Sequence, residues 1–534
     1  MEVVKRMEFS LALNPHCVAR GGQLTTSGNF NFLSVPSRTS TVSFPNRCGC
    51  VAAHLKSSIP ASLQSAEFSR ISIRDHLRRD SPNVKPDKSV VKLFVGLPLD
   101  VVSENQTLNH SRAIAAGLKA LKLMGVEGVD LPVWWGIVED EAMGEYNWSG
   151  YLAIAEMVRD AGLKLHVTLS FHASSSPKVN LPSWVTKLSE SQPDIFFKDR
   201  SGRHFKGCLS LAADEVPILH SKSPSQVYRD FSESFKSTFK LFMGSTITGI
   251  TIGLGPDGDL KYPSHHNRPK DAKIVGTGEF QCYDKHILGL LKERAEDAGN
   301  PLWGLGGPHD APSYDAYPDS TNFFKNENGS WETPYGTFFL SWYSTELIFH
   351  CDRLLSMAAS VFNECPVHIF GNIPLVHSWS GTRSHASELT AGYFNSDGRN
   401  GYDEVAAVFA KNKCKMVIGG WDLVDSVQPA GSEDKPERIL CQIRSACERH
   451  GVGIGGRNAA VSGKGLEQIS GNLGIGTAEI FVYERMGAEF FSPEHFPAFT
   501  QFVRSLSQPE MHSDDLPDVK DGSVSKVNPE MQMA

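Results

Sequence analysis

From Val90 onward the chain alternates two patterns. Short, near-continuous apolar runs of strand length are followed by longer stretches in which apolar residues return every three or four positions. "VKLFVGLPL" is the first run, and "SRAIAAGLKALKLMG" follows it with Ile114, Leu118 and Leu121 at i, i+4 and i+7. Gly125 then stands where a helix C-cap glycine belongs. "GVDLPVWW" repeats the strand pattern, and "YLAIAEMVRDAG" the helical one, closed by Gly162. "LKLHVTLSF", "ITGITIGLG", "CPVHIFGNIPL", "CKMVIGGWD" and "AEIFVYERM" read as further strands, with "LWGLGG" as a weaker one. Amphipathic helices such as "FFLSWYSTELIFHCDRLLSMAASVF" lie between them. Strands that are apolar along their whole length are buried on both faces, as in a parallel sheet. Roughly eight β/α units in one chain predict a single (β/α)8 TIM barrel, with long βα loops because a minimal barrel needs only about 250 residues.

The two ends of the 534-residue chain have another character. Residues 1–88 are rich in Ser and Thr ("TTSGNFNFLSVPSRTSTVSFP"), dotted with Arg and Lys, and almost free of acid between Glu8 and Glu67. They contain no apolar core of signal-peptide length, so they read as a plastid transit peptide and leader. Residues 89–506 hold the barrel, and residues 507–534 form a polar tail expected to be disordered. A net charge of -8 argues against a phosphate-backbone partner. No apolar stretch reaches the roughly 20 residues that span a bilayer. The 10 cysteines show no C-x-x-C spacing, which excludes a zinc or disulfide framework, and no metal or cofactor is expected.

Against this frame, "TGITIGLGPDGDLKYPS" raises a question of chemistry. Gly253, Gly255 and Gly258 spell G-x-G-x-x-G after a strand, as in a dinucleotide-binding turn. Such a turn must open a helix whose N-terminus holds the pyrophosphate, and Pro256, Pro263 and Pro269 forbid one here. In a barrel, the segment past a strand's C-terminal end lines the mouth, so Asp257 and Asp259 become candidates for chemistry. Other strand ends carry Trp134 and Trp135, His172, His377 and Trp379, Asp422, and Arg485. Aromatic rings with carboxylates, imidazoles and an arginine around one mouth suit a carbohydrate, and two carboxylates suit acid–base glycoside hydrolysis.

These stretches, with "VGLPLDVV", "GVEGVDLPVWWGIVE", "GEFQCYDK", "SHASELTAGY" and "VYERM", resemble the β-amylase family over about Lys92 to Leu506. The resemblance implies an inverting, maltose-releasing fold acting on α-1,4-glucans. "GLGGPHDAPSYD" and "MGAEFFSPEHF" resemble an inactive plastidial plant type within that family. Measured against the family pattern, Asp259 takes the place of the general-acid Glu, and Asp422 that of the general-base Glu. His172, His377, Trp379, Thr390 and Arg485 match substrate-binding positions, whereas Pro132 and Asn372 replace a binding Asp and Lys. The loop "FHASSSPKVNLPSWV" keeps His172 but lacks the glycines and Asp of a closing lid. Shortening each carboxylate by one methylene withdraws it by roughly 1.5 Å, and a misplacement of about 1 Å can cost on the order of a hundredfold in rate. The expectation is a plastid protein of starch metabolism with impaired catalysis that binds α-glucan. The alternatives are a slow but working β-amylase and a scaffold for other starch-metabolism enzymes.

Overall fold

The computed structural model describes residues 91–267, 274–429 and 431–507. The expected leader and all of the expected tail beyond Ser507 lie outside these residues. Eight strands close into one barrel: β1 (Lys92–Gly96), β2 (Gly128–Trp134), β3 (Lys164–Ser170), β4 (Ile247–Ile252), β5 (His368–Ile373), β6 (Lys415–Ile418), β7 (Ile454–Arg457) and β8 (Ala478–Tyr483). Each pairs in parallel with its sequence neighbours, and β1 meets β8 with Lys92 opposite Ile480 and Val95 opposite Tyr483. Helices α1 (Ser111–Met124), α2 (Ser149–Asp160), α3 (Pro224–Thr238), α4 (Pro334–Val361), α5 (Tyr402–Lys411), α6 (Pro436–His450), α7 (Gly465–Leu473) and α8 (His495–Ser507) follow the eight strands in turn.

Local sequence explains the helix ends. In α1 the predicted stripe of Ile114, Leu118 and Leu121 is buried, and Gly125 closes the helix at φ 89°, a conformation that only glycine adopts without strain. Ser223 and Gln226 form a reciprocal capping box at the start of α3, and Thr333 caps α4 through the amide of Gly336.

Inside the barrel, Phe94, Phe370, Val417, Ile480 and Val482 form a cluster of their own, distinct from the large core between strands and helices. His166 stands among them, with ring centroids 5.8 Å from Phe94 and 4.9 Å from Phe370. Gly249 makes the room, because a Cβ there would lie 2.6 Å from the His166 ring. Burial pushes the His166 imidazole down to about 3, so it is neutral, and its Nε2 pairs with the Thr251 hydroxyl at 2.7 Å.

One expected strand is corrected. "LWGLGG" is not in the barrel: Pro301–Gly304 is a 3₁₀ turn with Leu302 and Leu305 exposed. The strand that completes the barrel is β7, in "GIGGRN". Its glycines carry little strand signal, yet the packing demands them. A Cβ on Gly455 would lie 2.7 Å from Ile480, and one on Gly456 2.7 Å from the Trp421 ring.

Candidate active-site mouth

At the C-terminal ends of the strands lies an open cavity of about 530 Å³, walled by Trp134, His172, His377, Arg457, Glu484 and Arg485, with Asp257 and Asp259 on one side. Its size falls within the roughly 300–1,000 Å³ of small-molecule pockets. The "GPDGD" segment turns tightly here rather than opening a long helix, which removes the dinucleotide reading. Gly258 is at φ 80°, and a Cβ on it would approach His172 to 3.2 Å.

Asp259 is buried beneath that turn, and both of its oxygens are already taken. Oδ1 accepts from the guanidinium of Arg457, and Oδ2 from the Lys261 ammonium at 3.3 Å. Lys261 also reaches Asp257 at 2.9 Å. Arg457 continues to Glu484 at 3.4 Å, and Glu484 to Arg485 at 3.4 Å. Burial works against the charge on Arg457, but Asp259 and then Glu484 outweigh it and hold the guanidinium more firmly protonated than usual. Lys261 is likewise raised by Asp259 and Asp257 against its own burial. The site is thus a chain of alternating charges running from Asp257 to Arg485.

Arg457 is the functional residue that sequence reasoning missed. It ends the glycine-rich β7, which had not been read as a strand, so its place at a strand end was hidden. Glu484 was overlooked beside Arg485 in "YERM". A third is Asp130, on the floor of a smaller chamber of about 70 Å³ below the mouth. Its carboxyl accepts from the Thr168 hydroxyl at 3.0 Å, and burial, only partly offset by Thr168 and Arg485, raises it to about 7. It was hidden in an apolar run, where an inward-facing acid carries no pattern signal.

The sequence candidates divide accordingly. His172 lines both cavities, edge-on to Trp134 at 5.2 Å. Burial drives its imidazole down to about 4, and its Nδ1 has no hydrogen-bond partner among the described residues. His377 lines the mouth with Nδ1 3.8 Å from Asp434, and burial lowers it as well. Arg485 donates to the Leu97 carbonyl at 2.9 Å and faces both cavities. Pro132 and Asn372 wall the lower chamber, and the Asn372 carbonyl accepts from the Leu260 amide at 3.0 Å.

Asp422, Trp379 and Thr390 are not among the side chains that line the mouth. Asp422, expected at the general-base position, has its oxygens accepting from the amides of Ala459 at 2.6 Å and Ala460 at 3.1 Å, bracing the loop after β7. Asp259 is bonded directly to Arg457 instead. Trp379 is buried with its indole donating to the Val275 carbonyl at 2.7 Å. Thr390 is buried with its hydroxyl donating to the Thr277 carbonyl at 2.7 Å. Both match substrate-binding positions of the family pattern, and the structure places both beneath the rim.

The segment after His172 folds back as a two-rung hairpin, Ser174 opposite Val179 and Ser175 opposite Lys178. The Ala173 amide ties its base to the Gly207 carbonyl at 2.7 Å. Ser174, Ser175 and Ser176 form part of the lip of the mouth.

Comparison with known proteins agrees with this fold. The sequence profile of glycosyl hydrolase family 14 matches residues 94–509. A protein of Arabidopsis thaliana named inactive beta-amylase 9 is 56% identical over 442 residues, covering 82% of this chain and 81% of that one. Beta-amylase 1, chloroplastic, of the same plant is 39% identical over 435 residues, covering 78% and 76%. The crystal structure of the catalytic domain of the beta-amylase from Paenibacillus polymyxa superposes with a TM-score of 0.65 at 24% identity, covering 79% of this chain and 99% of that one.

Proposed function

Because the chain belongs to glycosyl hydrolase family 14, the β-amylase family, we propose that it is a catalytically impaired member that holds α-glucan ends in its mouth in plastid starch metabolism. One observation carries the reading: the buried carboxylate at the general-acid position is bonded to Arg457 and Lys261.

Inverting glycoside hydrolysis needs one carboxylic acid to protonate the leaving oxygen. It needs a second carboxylate about 6.5–9.5 Å away to activate a water. A carboxyl that accepts from two cations has no proton to give in that geometry, and Arg457, permanently cationic, cannot abstract one from water. Asp422 is spent on two backbone amides, and the other carboxylates of the mouth, Asp257 and Glu484, are tied to Lys261 and to Arg457. Polar side chains of His172, His377 and Arg485 nevertheless face an open cavity where sugar hydroxyls find partners. The Ser/Thr-rich, acid-poor leader and the chloroplastic relatives support a plastid address. The inactive name of the relative at 56% identity supports the loss of hydrolysis.

The test is maltose release from soluble starch by the purified full chain beside an active β-amylase. No release from a folded sample, together with retention on immobilised α-glucan, is the expected result. Release that disappears in Asp259→Asn would overturn the reading and restore the slow enzyme.

A further inference from the structure

Trp379 poses a problem that the mouth does not solve. A tryptophan at φ 59° is an outlier, since a bulky side chain in the left-handed region is strained. Such strain persists only where the surroundings enforce it, and it gathers at functional sites. Here the enforcement is visible: the Trp379 amide donates to Asp434 Oδ1 at 3.1 Å, and its indole N–H to the Val275 carbonyl at 2.7 Å. Yet the residue is only 6% exposed, so no ligand stacks on its ring directly.

What lies against it is Tyr317, at a ring-centroid distance of 5.3 Å and an interplanar angle of 52°. Tyr317 is 51% exposed, one of few large apolar side chains left in solvent. Its backbone is fixed, because its carbonyl accepts from the Ser320 amide at 3.0 Å and the Ser320 hydroxyl at 2.7 Å. The preceding Ala316 carbonyl accepts from the Thr277 amide at 2.9 Å. An exposed ring on a pinned backbone, backed by a buried ring, is a preorganised stacking surface. It is also close to the mouth: Trp379 follows His377 by two residues, and both contact Asp434.

We propose that Tyr317 is a rim platform that stacks a sugar ring of an α-glucan chain leaving the mouth past His377, with Trp379 as the residue that sets its tilt. This rests on the glucan-binding reading above and adds a position that acts on chain length. The apolar C–H face of a pyranose lies flat on an aromatic ring, and one such contact is worth roughly three- to tenfold in affinity if it matches an aromatic pair.

The experiment is calorimetric titration of the full chain with maltose and with maltoheptaose. The unmodified protein is expected to bind the longer sugar more tightly. Tyr317→Ala should remove roughly three- to tenfold of that gain while leaving maltose affinity unchanged. Tyr317→Phe should keep the gain, because the ring face and not the hydroxyl makes the contact. If Tyr317→Ala binds maltoheptaose as tightly as the unmodified protein does, the platform is overturned and the mouth reading stands. If the unmodified protein binds neither sugar, both fall.

Discussion

Replacing Asp130 by asparagine should stabilise the protein, and by an amount that depends on pH in a defined direction. The Asp130 carboxyl is raised from the 3.8 of an aspartate in water to about 7, chiefly by burial. For an acid whose value is raised on folding, the folded state binds the proton more tightly than the unfolded chain. Stability is therefore full below 3.8 and is lost progressively as pH rises towards 7. Above 7 both states are ionised and the loss is constant. The gap between 3.8 and about 7, at 1.36 kcal/mol per tenfold in proton affinity, amounts to about 4 kcal/mol. Asparagine keeps an acceptor for the Thr168 hydroxyl and carries no charge, so the variant escapes this loss. The advantage of Asp130→Asn over the unmodified protein should grow by roughly 2–3 kcal/mol between about pH 5 and pH 8. Urea unfolding followed by tryptophan fluorescence at several pH values measures it. An advantage that shrinks with rising pH, or that does not change, refutes the argument that Asp130 is a desolvated acid on the barrel floor.

Three further outcomes follow from the geometry. Arg457→Met should cost up to about 3–5 kcal/mol, since it leaves a buried carboxylate with Lys261 as its one remaining cation, and adding Asp259→Leu should recover part of that; a double variant less stable than the single one in urea would show that the pair is not coupled. Gly136→Ala should destabilise by about 1–3 kcal/mol or more, because its Cβ would lie 1.9 Å from the Asn180 carbonyl oxygen; an unchanged melting temperature would contradict the close backbone approach. Cys441 is exposed, whereas Cys208, Cys282, Cys351, Cys414 and Cys447 are buried, so Cys441→Ser should remove a fast phase of reaction with a thiol reagent in the native protein. Loss of that phase in Cys447→Ser instead would contradict the packing of α6.

Much of the barrel was legible because its logic is repetitive. Seven strands and the helices with a clear apolar stripe follow from periodicity, and Gly125 and Gly162 mark helix ends. The eighth strand was hidden because Gly455 and Gly456 are chosen for what they leave out: they admit Ile480 and Trp421, a demand that comes from distant parts of the chain. "LWGLGG" has more apolar letters but nothing to pair with. The site divides in the same way. Asp259, His172, His377 and Arg485 lie at strand ends that the pattern locates. Arg457 lies at the end of the strand that went unread, so the cation opposite Asp259 was out of view, and Asp422 was left as the apparent partner. Burial of Trp379 and Thr390 depends on loops packed over them, which no local pattern encodes.

The short hairpin at the lip, tied down at Ala173, has a kinetic consequence. Where a long loop folds over a bound sugar, release waits for that loop to open, often on a microsecond-to-millisecond timescale. Two rungs of ladder make a short lip, so arrival and departure of a sugar do not wait on a long loop opening from this segment. Under the proposed glucan-binding role, occupancy of such a mouth would track the free concentration of glucan ends from moment to moment. A hydrolase that must hold its substrate through bond cleavage loses by that arrangement, whereas a protein that reports how many chain ends are present gains a faster reading.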